Sequence, residues 1–240
     1  MELKKRNTSM VSANATDNVS FLAKKITELL DDTTIDRVQE SFEKMKFLMS
    51  CYQCAILETE TKFKVLNEQF SLNHERNPIE SIKTRIKSPE SIRDKLERRQ
   101  LPYNLDSLSQ IHDIAGVRVI CSFVDDIYML ADCLLQQDDV RLINKKDYIA
   151  NPKENGYRSL HLIIEIPIFL QYEKRFMTVE VQLRTIAMEF WANLEHKLRY
   201  KKDLSPESVA ATAEELYRCA ELSAELDLKM QNIRDAVDYN

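Results

Sequence analysis

Gly116 and Gly156 are the only glycines in 240 residues. Glycine supplies the positive-φ turns and close backbone approaches on which phosphate-cradling loops depend. With two glycines so far apart, a P-loop, a G-x-G-x-x-G dinucleotide turn and a kinase glycine-rich loop are excluded. If the chain binds nucleotide phosphates, side-chain cations must hold them. Apolar residues make up 44 % of the chain, enough for a sizeable core. One domain, or one domain with helical extensions, is the expectation for this length.

Net charge is −5, so the whole chain does not read as a nucleic-acid binder. The distribution says more. Residues 83–99 hold seven cations against three anions, whereas residues 203–240 hold nine anions against three cations. A basic block in an acidic chain reads as a site for a compact polyanion. The five cysteines form no paired framework. The basic N-terminus lacks an apolar signal region, and no apolar run approaches a membrane span. A soluble, reducing, cytoplasmic setting without membrane partners is therefore expected. Cys51 and Cys54 form a C-x-x-C on a helical pattern with no second pair, so buried or idle thiols are expected there rather than zinc.

The first sixteen residues carry no pattern. Val19, Leu22, Ile26, Leu29 and Leu30 follow helical spacing, and Asp31 to Thr34 breaks it. A helix of about 30 residues is predicted next, with Val38, Phe42, Met45, Met49, Tyr52, Ile56, Phe63 and Leu66 inward. From Ser81 the period becomes two: Ile82, Thr84 and Ile86 alternate with Lys83, Arg85 and Lys87, a half-buried strand. Ser88-Pro89 starts a helix that aligns Ser91, Lys95, Arg98 and Arg99. Val117 to Phe123 reads as an apolar strand, Asp125 to Gln137 as a helix and Val140 to Lys145 as a short strand. Residues 146–158 are a polar loop. Leu160 to Ile166 and Met177 to Arg184 are strands around a turn at Gln171–Lys174. Residues 185–200 form an amphipathic helix, and an acidic helix follows Ser205-Pro206. This order predicts an α+β fold: a mixed sheet of about five strands flanked by helices, with N- and C-terminal helical extensions.

On the strand Met177–Arg184, Thr178, Glu180, Gln182 and Arg184 share one face. That face is either solvated or the floor of a cleft. Asp113 precedes the apolar strand, either as a turn acid or, opposite Glu180, as half of a two-carboxylate site for Mg²⁺. The dipeptide His112-Asp113 does not make a His-Asp phosphohydrolase, which needs more histidines on a helical scaffold. Arg118 is the lone charge in its strand, and an unpaired buried arginine is costly. Its partner is a carboxylate or a bound phosphate or base, and with Arg85 it can clamp a nucleobase. In the loop, Gly156 permits a tight turn, Tyr157 offers a stacking face, and Lys146, Lys153 and Asn155 offer polar contacts.

The stretch from Arg85 to Lys202 resembles the alarmone (ppGpp) synthetase domain of the RelA/SpoT family. The motifs are Arg85-Ile86-Lys87-Ser88, Asp113 to Arg118, Lys153 to His161, Glu180 to Thr185, and Glu195-His196-Lys197-Leu198 with Tyr200-Lys201. The chain has no room for the hydrolase and regulatory domains of the long members. It resembles the small synthetases, and its N-terminal extension is more like the RelP than the RelQ type. The resemblance implies a nucleotidyltransferase-like core at 73–203, an N-terminal helical extension at 1–72, and a C-terminal helix at 204–240 for homotetramer contacts. It implies transfer of the β,γ-pyrophosphate of ATP to the ribose 3′-OH of GDP or GTP, the alarmone synthesis of the stringent response. Arg85 and Arg118 would sandwich adenine, and Lys87, Ser91, Lys95 and Arg98 would hold the ATP phosphates. Asp113 and Glu180 would bind Mg²⁺, with Glu180 also taking the 3′-OH proton. Tyr157 would stack on guanine near Asn155, and Lys146 and Lys153 would meet the guanosine phosphates. Gln182, His161 and His196 would order the acceptor site. Two alternatives stay open: a related pyrophosphokinase acting on the tRNA 3′-end, and a catalytically silent oligomer sensing RNA or a guanosine nucleotide.

Overall fold

The computed structural model describes residues 32–74, 77–199 and 206–238. The expected helix from Val19 to Leu30 lies outside the described residues. The chain divides into two compact units, Met1–Met49 and Ser50–Asn240.

Helix α1 (Asp32–His74) is 43 residues long. It exceeds the predicted length because Asp32, Thr33 and Thr34 are already helical, a composition that suits a first turn. Within the second unit it buries Tyr52, Ala55, Ile56, Thr59, Phe63 and Leu66, the three-to-four spacing of one helix face. The Thr59 hydroxyl donates to the Ala55 carbonyl at 2.8 Å, which removes the cost of burying it.

Five strands follow: β1 (Ile79–Ile86), β2 (Ala115–Cys121), β3 (Arg141–Asp147), β4 (Leu160–Phe169) and β5 (Lys174–Thr185). Their order across the sheet is β1-β2-β5-β4-β3. Only β2 and β5 run parallel; the other pairs are antiparallel. The predicted mixed five-stranded sheet is thus present. One face is apolar: Val117 and Val119, Val179, Val181 and Leu183, and Leu160, Leu162 and Ile164 are all at most 1 % exposed. Burying each such side chain contributes roughly 1.5–3 kcal/mol. Helix α4 (Val124–Leu135) buries Ile127, Leu130, Ala131 and Leu134 and packs on β2 and β5.

Helix α2 (Pro89–Arg98) starts as its sequence requires: Ser88 Oγ accepts from the Ser91 backbone N–H at 3.3 Å, with Pro89 at the first turn. It ends with Gln100 at φ 54° and a bond from the Leu101 N–H to the Leu96 carbonyl, a left-handed C-cap made without glycine. Helix α3 (Leu105–Ser109), capped by the Asn104 side chain, was not foreseen; five residues are too few for a periodic signal. Helix α5 (Ile186–Arg199) begins where the Thr185 hydroxyl accepts from the Met188 N–H at 3.1 Å. Helix α6 (Pro206–Asp238) lies against α5, where Trp191 Nε1 donates to the Leu216 carbonyl at 2.7 Å.

Candidate active site

The second face of the sheet is polar, and strand register lines its side chains into rows. Lys83, Arg118, Gln182, His161 and Lys146 follow one another across β1, β2, β5, β4 and β3. Two residues along lies the row Arg85, Gly116, Glu180, Ile163 and Asn144. The apolar face fixes this register, because a slip of one residue would exchange core and cleft. The face of Glu180 and Gln182 is therefore the floor of a cleft.

Two cavities open on that floor. The first, about 240 Å³, is lined by Lys83, Arg85, Gly116, Arg118, Glu180 and Gln182 among others. Gly116 matters here for space: a Cβ would stand 3.4 Å from Arg85 Cγ. The second, about 370 Å³, is lined by Lys95, Arg99, Asp113, Lys146, Lys153 and His161, with His112, Asn144 and Tyr148 beside them. Glu180 lines both. One carboxylate thus stands where an arginine-walled cavity meets a lysine-walled one.

Asp113 and Glu180 sit in different surroundings. Asp113 Oδ2 accepts from Lys87 Nζ at 2.8 Å and from Lys95 Nζ at 2.6 Å, while Oδ1 is buried without a hydrogen-bond partner. Burial raises the Asp113 pKa, but the hydrogen bonds and charges of the two lysines outweigh it and hold the carboxyl below its ordinary value. Glu180 Oε2 accepts from Gln182 Nε2 at 2.9 Å, and Oε1 lies 3.3 Å from His161 Nδ1. Burial pushes Glu180 up and the nearby Asp113 charge adds to this; His161 and Gln182 prevail, leaving it below an ordinary glutamate. Among the described residues there is no cluster of three or more His, Cys, Asp or Glu side chains able to hold a metal. Two carboxylates, one with a buried oxygen still lacking a partner, nonetheless fit Mg²⁺, which takes few protein ligands beside phosphates and water.

Arg118 resolves the choice posed by its lone charge: Nη1 donates to Glu189 Oε1 at 3.2 Å and Oε2 at 3.3 Å, while the side chain still lines the first cavity. Glu189, in the first turn of α5, also accepts from Lys83 Nζ at 3.0 Å and Arg184 Nη1 at 2.9 Å. Burial would raise its pKa; the hydrogen bonds from Lys83 and Asn193 and the charges of Arg118 and Arg184 lower it to about 2. Glu189 was not picked out in the sequence, where it is one acid on an amphipathic helix.

The loop joining β3 to β4 brings Tyr157 to the cleft. Its Oη lies 2.8 Å from His161 Nε2 and accepts from Arg184 Nη2 at 2.5 Å. Lys153 Nζ sits 4.7 Å from the Tyr157 ring centroid and 4.6 Å from that of Tyr148, a double cation–π contact. Asn155 shapes the loop: Oδ1 accepts from the Tyr157 N–H at 3.2 Å and Nδ2 donates to Glu195 Oε1 at 3.3 Å. Gly156 has φ 85°, and a Cβ there would fall 2.5 Å from Ala220 Cβ on α6. No other residue type fits.

Six predicted residues line neither cavity: Lys87, Tyr157 and Asn155 stand behind the lining, through Asp113, His161 and Tyr157 respectively, and three more stand apart. Ser91 is exposed and accepts from Ser88 Oγ. Arg98 is exposed, with Nε donating to the Asp94 carbonyl; its neighbour Arg99 lines the second cavity instead. His196 is exposed on α5. Tyr200 and Lys201 lie outside the described residues. Lys83 and Tyr148 complete the lining. The alternation of β1 carried a signal for Lys83; nothing local marked Tyr148.

Residues 84–205 match the region found in RelA/SpoT proteins. The chain is 44 % identical over 210 residues to the GTP pyrophosphokinase YwaC of Bacillus subtilis (strain 168), spanning 87 % of this chain and 99 % of that protein. The crystal structure of small alarmone synthetase 2 from B. subtilis superposes with a TM-score of 0.71 at 44 % identity, covering 80 % of this chain and 98 % of that one. That of small alarmone synthetase 1 from B. subtilis, bound to its product pppGpp, gives 0.73 at 34 % identity, covering 82 % and 100 %. The chain belongs to the RelA/SpoT family. Its span and fold match those of the small alarmone synthetases.

Proposed function

We propose that this chain is a GTP pyrophosphokinase, transferring the β,γ-pyrophosphate of ATP to the ribose 3′-OH of GTP or GDP. The products are pppGpp or ppGpp and AMP. The observation that carries this reading is Glu180, shared between an arginine-walled and a lysine-walled cavity. A transfer between two bound nucleotides needs two adjoining sites with a proton acceptor at their junction.

The first cavity takes ATP. Arg85 and Arg118, on neighbouring strands, offer planar guanidinium groups to the faces of adenine. The ATP phosphates run past Glu180 into the near end of the second cavity, where Lys95 and Arg99 line the wall and Lys87 and Lys95 exchange part of their hold on Asp113 for phosphate oxygens. The far end of the second cavity takes the guanosine nucleotide, with Lys146 and Lys153 toward its phosphates. Lys153 leaves the rings of Tyr157 and Tyr148 when guanine stacks there. Asp113 and Glu180 are the residues that would hold Mg²⁺, which would supply charge neutralisation to the phosphate oxygens. Glu180 accepts the 3′-OH proton as the ribose oxygen bonds to the β-phosphorus. The bond from that phosphorus to the α,β-bridging oxygen breaks, and AMP leaves with the oxygen. In-line placement and neutralised charge supply most of the catalysis in such transfers.

The exposed apolar residues of α6, Leu222, Leu226, Leu228, Ile233 and Val237, support assembly into a homotetramer, testable by light scattering on the full chain. No described helix is long and apolar enough to cross a membrane. The deciding experiment is anion-exchange analysis of the purified protein with ATP, Mg²⁺ and GDP or GTP. A peak more anionic than the acceptor, with AMP in equal amount, is expected. ADP as the product, or label transferred to RNA instead, would sink the proposal.

A further inference from the structure

Glu189 lines neither cavity and is 6 % exposed, yet it gathers three cations. Lys83 and Arg118 come from the ATP side. Arg184 comes from the end of β5 and is itself 4 % exposed. A carboxylate placed there without function would be an expensive device, since an apolar residue of similar volume commonly serves stability as well as a buried ion cluster does.

What Arg184 does with its remaining nitrogen supplies the reason. Nη2 donates both to Tyr157 Oη and to Gln182 Oε1, the latter at 2.9 Å. Gln182 Nε2 then donates to Glu180 Oε2. On the other side Tyr157 Oη contacts His161 Nε2, and His161 Nδ1 faces Glu180 Oε1. With His161 neutral and its proton on Nδ1, every bond in both arms points the same way. Two chains leave Arg184, one through Gln182 and one through Tyr157 and His161, and end on the two oxygens of Glu180. Gln182 Oε1 also lies 3.4 Å from Arg118 Nε, which closes the network toward the ATP side. Aligned hydrogen bonds of this kind polarise one another and are lost together.

We propose that Glu189 is a positioning residue that couples the two nucleotide sites. It holds Arg118 against the donor and, through Arg184, orients Tyr157, His161, Gln182 and the Glu180 carboxylate toward the acceptor. Whichever nucleotide binds first orders the shared network, so the second meets a cleft already arranged. This rests on the reading of the two cavities as donor and acceptor sites.

The test is a binding cycle on the full chain. GDP affinity is measured by calorimetry with Mg²⁺, alone and with saturating α,β-methylene-ATP, whose bridging carbon prevents transfer. The wild-type protein should bind GDP about 5- to 150-fold more tightly with the analogue present, the usual span of coupling between sites. Glu189→Gln keeps the shape and one acceptor but loses the charge. Its coupling factor should fall to near one, and the KM values for both substrates should rise in turnover. Glu189→Asp, which keeps the charge, should restore most of the coupling. A general structural loss would lower the melting temperature without this rescue pattern. If Glu189→Gln does not fold, Arg184→Lys answers the same question. It preserves a cation against Glu189 but not the second arm to Tyr157 and Gln182, so coupling should again vanish. A wild-type protein without coupling overturns the proposal, as does either variant retaining the full factor. A wild-type protein that makes product without coupling sinks only this inference. One that binds both nucleotides cooperatively without making product sinks the pyrophosphokinase reading and leaves the coupling intact.

Discussion

The arginine-walled half of the cleft, proposed for ATP, is built on paired strands. Arg85 and Arg118 stand diagonally across β1 and β2, two residues apart in register, held by backbone ladders and by an apolar face beneath them. The half proposed for the guanosine nucleotide is built on β3, an edge strand whose residues are almost all exposed, and on the loop that follows it. That loop is held from outside: Gly156 lies against Ala220, and Arg158 donates to Glu221 at 2.9 Å, both partners on α6. One half is therefore rigid by secondary structure, and the other by tertiary contact with a distant part of the chain. Opening of the loop needs only local loss of contact with α6, whereas moving Arg85 or Arg118 needs the sheet itself to separate.

Glu180 belongs to both halves, so its removal gives the largest effect. Glu180→Gln should lower kcat about 10³-fold, within the span for loss of a general base. Melting temperature should stay within a few degrees of wild type or rise. By contrast, Arg85→Ala should raise mainly the KM for ATP and Tyr157→Ala mainly that for the guanosine nucleotide. If either substitution moved both KM values equally, the division into halves would be wrong.

The two glycines break the comparison in another way, since each serves one half. Gly156→Ala forces a side chain into φ 85° and onto Ala220 Cβ at 2.5 Å. Left-handed strain and overpacking together should cost about 2–4 kcal/mol in chemical denaturation. Gly116→Ala meets only Arg85 Cγ at 3.4 Å, with no unfavourable φ. It should change stability by less than about 1 kcal/mol while raising the KM for ATP, because the new methyl group narrows the first cavity. Equal destabilisation by the two would show that the loop is not held more critically than the sheet.

The same contrast explains what could be seen in the sequence. Alternation along β1 and β5 placed Arg85, Lys87, Glu180 and Gln182 on strand faces without any tertiary knowledge, because a strand's period is two in every context. The loop residues Asn155 and Tyr157 were conspicuous by type, but their partners Glu195 and Arg184 come from elsewhere in the chain. Arg98 and Arg99 are adjacent on one helix, and only packing decides which reaches the cavity. Glu189 was invisible for a stronger reason. The rotation of α5 that turns this acid inward depends on Thr185 at its cap and on α6 behind it, and an acid in a first helical turn normally needs no explanation beyond the helix dipole.

Acid titration should locate the anchor of the network. Glu189 titrates at about 2 in the folded state against 4.5 ordinarily. A lowered carboxylate contributes stability that is complete above its ordinary pKa and is lost as pH falls through the interval toward the folded value. Denaturation in urea between pH 6 and pH 3 should therefore show a decline that Glu189→Gln flattens. Roughly 3 kcal/mol is at stake in the full interval. An identical slope in the variant would mean that the three cations do not hold Glu189 in solution.

The smallest expected change lies in the rigid half, at Gln100. Its φ of 54° closes α2 in a conformation that costs a residue with a Cβ about 1 kcal/mol or more. Gln100→Gly removes that strain but adds freedom to the unfolded chain. A net gain of about 0.5 kcal/mol is expected, read as a small rise in denaturation midpoint. Lys95 and Arg99 sit on this helix and its cap, so the KM for ATP reports whether the cap also sets their positions. With the helix already fixed by buried Ile92 and Leu96, that KM should not move. A shift of several-fold would mean that the half proposed for ATP, like the loop opposite, depends on a local turn for its alignment.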